Sequence, residues 1–119
     1  MSDDTITELQ AQLRAFAGER DWGQFHTPKN LAMALAGEVG ELLEIFQWLT
    51  PEQAAAVMDG DRAADVEDEL ADVLIYLVRL ADVLEVDLGE VSGRKLGRNE
   101  HRFPADEVHG RADVGPREG

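Results

Sequence analysis

The sequence predicts an all-α protein, a small bundle of four to five helices, on three observations. Apolar residues recur at three- and four-residue spacing along most of the chain. No stretch alternates apolar and polar residues as a half-buried strand does. Helix start and stop signals (Gly18, Thr27-Pro28, Thr50-Pro51 and Asp59-Gly60-Asp61) divide the periodic stretches from one another.

The first helix is expected over 5–17, where Ile6, Leu9, Leu13 and Phe16 share a face and Gly18 supplies a stop. A connector rich in aromatic and polar residues follows, from Glu19 to Thr27. Thr27 is placed as an N-cap and Pro28 in the first turn of a second helix running to about Trp48, because proline is tolerated there. Thr50-Pro51 should end it, since the residue before proline avoids helical geometry. A short helix over 51–58 and a turn at 59–61 lead to a long helix, 62–85. After a break at 86–88, a last short helix is expected over 89–98. Residues 1–104 then form one helical domain. Residues 105–119, with Gly110, Gly115, Pro116 and Gly119 and few apolar groups, are expected to be a disordered tail.

Composition narrows the function. The chain has 119 residues, 44% hydrophobic and 30% charged, which suits one folded domain. It has no cysteine, which excludes disulfides and cysteine-based zinc or redox chemistry. A formal net charge of −14 repels nucleic acid and anionic membranes at long range, so neither is expected as a partner. No apolar run is long enough to span a bilayer, and the acidic start of the chain lacks the features of a signal peptide. A cytoplasmic protein is expected. A core of this size is modest, and the long helix is apolar over most of its circumference, so self-association as a dimer or tetramer is expected too.

The position of the acids is more telling than their number. With about 100° per residue from Leu31, the residues Leu35, Val39, Leu42, Ile45, Phe46 and Leu49 form a core stripe on the second helix. Glu38 falls inside that stripe at about 340°, and Glu41 on its flank at about 280°. On the long helix, counted from Val66, Leu70, Val73, Leu74, Leu77, Leu80 and Leu84 cluster near about 20°. Glu69, Tyr76 and Asp72 share one edge of that cluster, at about 300°, 280° and 240°. Ile75 and Val78 lie elsewhere on the wheel. Each long helix thus offers an acidic pair at i, i+3, and two antiparallel neighbours bring all four acids together. Carboxylates at core positions are normally paired or bound to metal, and an all-oxygen set suits Mg²⁺, with Mn²⁺ as a substitute. No histidine follows these acids at i+3, which argues against a di-iron bundle.

Glu38-x-x-Glu41, twenty-seven residues, then Glu69-x-x-Asp72 resembles the signature of the MazG-like all-α nucleoside triphosphate pyrophosphohydrolases, and most closely their dCTP pyrophosphatase branch. The likeness also rests on Glu19-Arg20-Asp21-Trp22, Gln24-Phe25-His26, Pro28, Asn30-Leu31, Phe46-Gln47-Trp48, the stretch 69–77, and Lys95, Asn99, Arg102 and Pro104. It implies hydrolysis of a (deoxy)nucleoside triphosphate, dCTP or a modified dCTP, to the monophosphate and pyrophosphate. It implies Glu38, Glu41, Glu69 and Asp72 as Mg²⁺ ligands. It further implies Trp22, Gly23, Gln24, Phe25, His26, Trp48, Tyr76, Lys95 and Asn99 as substrate contacts. The branch carries a histidine in the first helix where this chain has Leu13, a departure that bears on base preference.

The chemistry is consistent with that assignment. A triphosphate would be repelled by acids alone, and a divalent cation inverts the local field. Glu41 or Glu38, as the catalytic carboxylate, takes the proton of the attacking water. Trp22 and Trp48 are expected to stack on a base and Phe25 to be core. Arg94, Lys95, Arg98 and Arg102 form a basic cluster, read equally as a phosphate contact or a solvated helix end. The alternatives are a relative acting on another nucleotide, such as dUTP or phosphoribosyl-ATP, and a non-catalytic helical dimerisation or regulatory module.

Overall fold

The computed structural model describes residues 3–113 and 115–116. It contains α1 (Asp3–Glu19), α2 (Pro28–Phe46), α3 (Pro51–Ala55), a 3₁₀ turn (Val57–Asp59), α4 (Ala63–Val83), α5 (Leu88–Arg102) and α6 (Ala105–Val108). No strand occurs among the described residues. The chain divides into two compact units, Met1–Glu85 and Val86–Gly119. In the first, α4 packs against both α2 and α1. Its most enclosed side chains are Leu31 on α2, Val78 on α4 and the small Ala17 on α1.

Local chemistry sets the boundaries. Thr27 caps α2 by accepting from the Asn30 backbone N–H, with Pro28 in the first turn, as the sequence predicts. Thr50 and Gln53 form a reciprocal capping box on α3. Asp87 caps α5 at Glu90. Each such cap contributes about 1 kcal/mol.

Several boundaries differ from expectation. α1 continues through Gly18 to Glu19, and the chain turns instead at Asp21, whose φ of 53° is left-handed. A short polar side chain tolerates that region, and here Asp21 also accepts from Gln24. The Trp22 N–H returns to the Ala17 carbonyl at 2.9 Å, which closes the helix end. α2 stops at Phe46, short of Trp48. The expected helix over 51–58 is α3 followed by the 3₁₀ turn. α5 extends to Arg102 rather than 98. Of the tail expected over 105–119, Ala105–Val108 forms one helical turn, while 114 and 117–119 lie outside the described residues.

The wheel placed the core of α4 only in part: Val66 is buried and Val73, Leu74 and Leu80 are half-buried as expected. Val78, assigned away from the stripe, is fully buried, whereas Leu70, Leu77 and Leu84 are 52%, 38% and 51% exposed. The reason is that α4 serves two neighbours, so its buried arc turns toward both. Residues spaced seven apart at the expected stripe centre are left uncovered in the single chain. Val39 on α2 is open for the same reason, more apolar surface than one chain covers.

Candidate metal and nucleotide site

Glu38 and Glu41 stand one turn apart on α2, and Glu69 stands on α4. One carboxylate oxygen from each lies within 4.8 Å of the others. Glu38 and Glu69 are half-buried and Glu41 is exposed. Burial pushes the Glu38 carboxyl above its ordinary range, and the charges of Glu41 and Asp72 add to the push. Burial raises Glu69 further, to about 7, reinforced by Glu41 and Glu38 beside it. Asp72 stands outside the three-way cluster and near enough for its charge to act on Glu38.

The cluster is incomplete by its own chemistry. Glu38 Oε2 and Glu69 Oε2 are buried and accept no hydrogen bond among the described residues. A buried acceptor without a donor carries its full desolvation cost. Two of them facing a third carboxylate form an all-oxygen set of the kind hard divalent cations bind. The residues present therefore fit a divalent cation, which would satisfy the orphaned oxygens and offset the crowded charge together.

A second feature stands two turns along α4. A cavity of about 320 Å³ is lined by Leu9, Gln12, Leu13, Phe16, Ala17, Trp22, His26, Ile75, Tyr76 and Arg79. That volume is at the small end of the usual ligand-site range, about 300–1,000 Å³. Trp22 meets Phe16 edge-on at 5.7 Å between ring centres and His26 at 6.4 Å. Burial, and behind it the charge of Arg79, holds the His26 imidazole below its ordinary range, so the neutral form is favoured. Asp82, 3.2 Å from Arg79, balances that charge. The cavity is thus apolar and nearly neutral, in contrast with the cluster.

Of the residues expected to contact substrate, the structure brings Trp22, His26 and Tyr76 together in this cavity. Gly23, Gln24 and Phe25 do not line it. Phe25, expected in the core, is 59% exposed, because the turn at Asp21 carries it outward. Trp48 is 87% exposed beyond the end of α2. Lys95 and Asn99 belong to the second unit, where with Val91, Ser92, Leu96 and Arg98 they line an open depression on α5. Sequence reasoning missed Arg79 and its partners Asp82 and Arg14. The available signal was a lone cation inside the apolar run Leu77-Val78-Arg79-Leu80, with an acid three residues on.

Comparison with known proteins identifies the family. The family model for the MazG-like family matches residues 34–114. The chain is 44% identical over 113 residues to dCTP pyrophosphatase 1 of Bos taurus, covering 93% of this chain and 66% of that protein. It is 45% identical over 104 residues to dCTP pyrophosphatase 1 of Homo sapiens, covering 87% and 61%. The chain thus spans slightly less than two thirds of the length of these relatives. A crystal structure of a pyrophosphatase from Archaeoglobus fulgidus DSM 4304 superposes with a TM-score of 0.79 at 46% identity, covering 84% of this chain and 93% of that one. No helix among the described residues is long and apolar enough to cross a membrane. The chain belongs to the MazG-like family and is similar to its dCTP pyrophosphatase branch.

Proposed function

We propose that the chain hydrolyses a (deoxy)nucleoside triphosphate, dCTP or a modified dCTP, to the monophosphate and pyrophosphate, with Mg²⁺ held by Glu38, Glu41, Glu69 and Asp72. The observation that carries this reading is the carboxylate cluster with its two buried, unpartnered oxygens. The pyrophosphatase activity named for the relatives supports it.

The two features divide the substrate between them. Glu69 and Tyr76 are seven residues apart on α4, about 10 Å along the axis. A nucleotide spans that distance with its base in the cavity and its phosphates toward the acids. Trp22 offers a stacking face, and His26 and Tyr76 offer polar edges to base or sugar. The near-neutral lining suits an uncharged base and gives phosphates no preferred place there. When bound, the cation supplies charge neutralisation of the phosphates and activation of water. Glu38 or Glu41, whichever is less engaged, accepts the proton released from the attacking water. By family likeness, Gly23, Gln24, Phe25, Trp48, Lys95 and Asn99 complete the proposed substrate contacts. Leu13 lines the cavity, so base preference is the part of the reading on which a different nucleotide, such as dUTP, remains the alternative.

Self-association belongs to the same proposal. Leu70 and Leu77 on α4, and Leu84 just past its end, follow at seven-residue spacing and are open in the single chain, a surface that a second copy would cover. We place the enzyme in the cytoplasm, acting on the nucleotide pool.

The test is a panel of nucleoside triphosphates with Mg²⁺, scored by relative kcat/KM and by product identity. dCTP or a 5-substituted dCTP should lead the panel, with monophosphate and pyrophosphate in equal amounts. No hydrolysis of any member would overturn the proposal.

A further inference from the structure

His26 is held by an arrangement that the proposed hydrolysis does not require. Arg79 Nε donates to His26 Nδ1 at 3.0 Å. Arg79 in turn donates to Asp82 Oδ2 at 3.2 Å, three residues along α4. Asp82 is gripped from α1 by Arg14, whose Nε and second terminal nitrogen reach its two carboxylate oxygens at 3.1 and 2.6 Å. The side chains of Arg79 and Asp82 are only 12% and 11% exposed, whereas Arg14 lies largely in solvent at 64%. Four side chains thus form one line from the helix α1 surface, through α4, to the connector residue at the cavity wall.

The direction of the hydrogen bond decides the chemistry of the ring. A guanidinium has donors and no acceptor. The His26 nitrogen facing it must therefore be the acceptor, and the ring proton must sit on Nε2. Nε2 has no hydrogen-bond partner among the described residues, and the ring lines the cavity. Asp82 prevents Arg79 from rotating away, and its fork against Arg14 fixes Asp82 from two directions.

We propose that Arg79, anchored by Asp82 and Arg14, is a positioning residue that locks His26 as the Nε2–H tautomer, a fixed donor for an acceptor on the edge of a heterocyclic base. A donor that cannot become an acceptor favours a base presenting a ring-nitrogen lone pair or carbonyl oxygen. It disfavours one presenting N–H, because a buried donor facing a donor leaves both unpaired. The consequence for substrate choice rests on the nucleotide reading above, whereas the tautomer itself does not.

The experiment is long-range ¹H–¹⁵N correlation on protein labelled with ¹⁵N-histidine, at a pH where the rings are neutral. The three histidines are His26, His101 and His109, and the latter two are exposed and serve as internal references. The wild type should show a His26 Nδ1 signal of a fully unprotonated acceptor and an Nε2 signal of a fully protonated nitrogen. His101 and His109 should show tautomer-averaged values. Arg79→Met should move His26 to averaged values while circular dichroism retains the helical signal. In the same variant, KM for the best nucleotide should rise by up to about five-fold, the most that weakening one neutral hydrogen bond to the base would cost, with KM rather than kcat carrying the change. A wild-type His26 averaged like the exposed pair overturns the proposal, even if Arg79→Met does not fold. An unchanged His26 signal in a folded Arg79→Met overturns it as well. The spectrum needs no substrate, so a protein that turned over no nucleotide would sink the hydrolysis reading and leave this result legible.

Discussion

The acidic cluster and the aromatic cavity share helix α4 and are opposites in how their polar groups are satisfied. At the cluster, three carboxylates converge and two buried oxygens have no partner. At the cavity, the half-buried cation Arg79 is matched by Asp82, and His26 accepts a hydrogen bond from Arg79. An unsatisfied site needs something from outside to become stable. A satisfied one is already shaped for what enters it. On the proposed function, the cation and the phosphates belong to the first and the base to the second.

The largest effect should come from breaking the cluster. Glu38→Ala or Glu69→Ala is expected to lower kcat/KM by more than about 100-fold, since even groups that merely support metal ligands contribute 10- to 100-fold. The helical circular dichroism should persist, because neither side chain is fully buried. Glu38→Leu should also lose activity while leaving thermal stability unchanged or higher in the absence of metal, which separates a functional acid from a structural one.

Truncating the stacking face comes next. Trp22→Ala should raise KM about ten-fold or more, in line with base stacking of about 1–3 kcal/mol. Trp48→Ala should raise KM less, because Trp48 lies 87% exposed and outside the cavity. A Trp48 effect equal to that of Trp22 would show that the base is not held where the cavity is.

The smallest effect is on stability against pH. Glu69 titrates at about 7 in the folded chain against an ordinary 4.5, so the folded state holds its proton more tightly than the unfolded state. Its contribution is fully present below 4.5 and is lost as pH rises through about 7. Without divalent cations, the thermal midpoint should fall across that window and Glu69→Gln should flatten the fall. With Mg²⁺, the stabilisation should grow over the same window, because the ion competes with protons for the same oxygens. A midpoint that rises with pH in chelator would contradict the crowding of these acids.

Much of this contrast was legible in the sequence, and unevenly so. Helix class and the start of α2 followed from periodicity and the Thr27 cap, which acts through adjacent backbone, whereas Thr50 was legible only as part of a helix stop and not as the cap of α3. Glu38 stood out because an acid inside an apolar stripe has a cost that any packing must address. The failures involve geometry that one helix does not encode. Val78 is buried and Leu77 is not, because α1 and α2 together decide which arc of α4 is covered. Phe25 is outside because a single left-handed residue, Asp21, redirects the connector. Arg79 reads as an ordinary helix cation until the chain brings His26 to it across 53 residues.

The central claim is that the carboxylate cluster binds a divalent cation. Titration of the purified protein with Mn²⁺, followed by the loss of the free-ion electron paramagnetic resonance signal, measures this without any substrate. The wild type should sequester Mn²⁺ in competition with Mg²⁺, and the double variant Glu38→Gln, Glu69→Gln should not. Equal Mn²⁺ binding by the wild type and the double variant would contradict the claim.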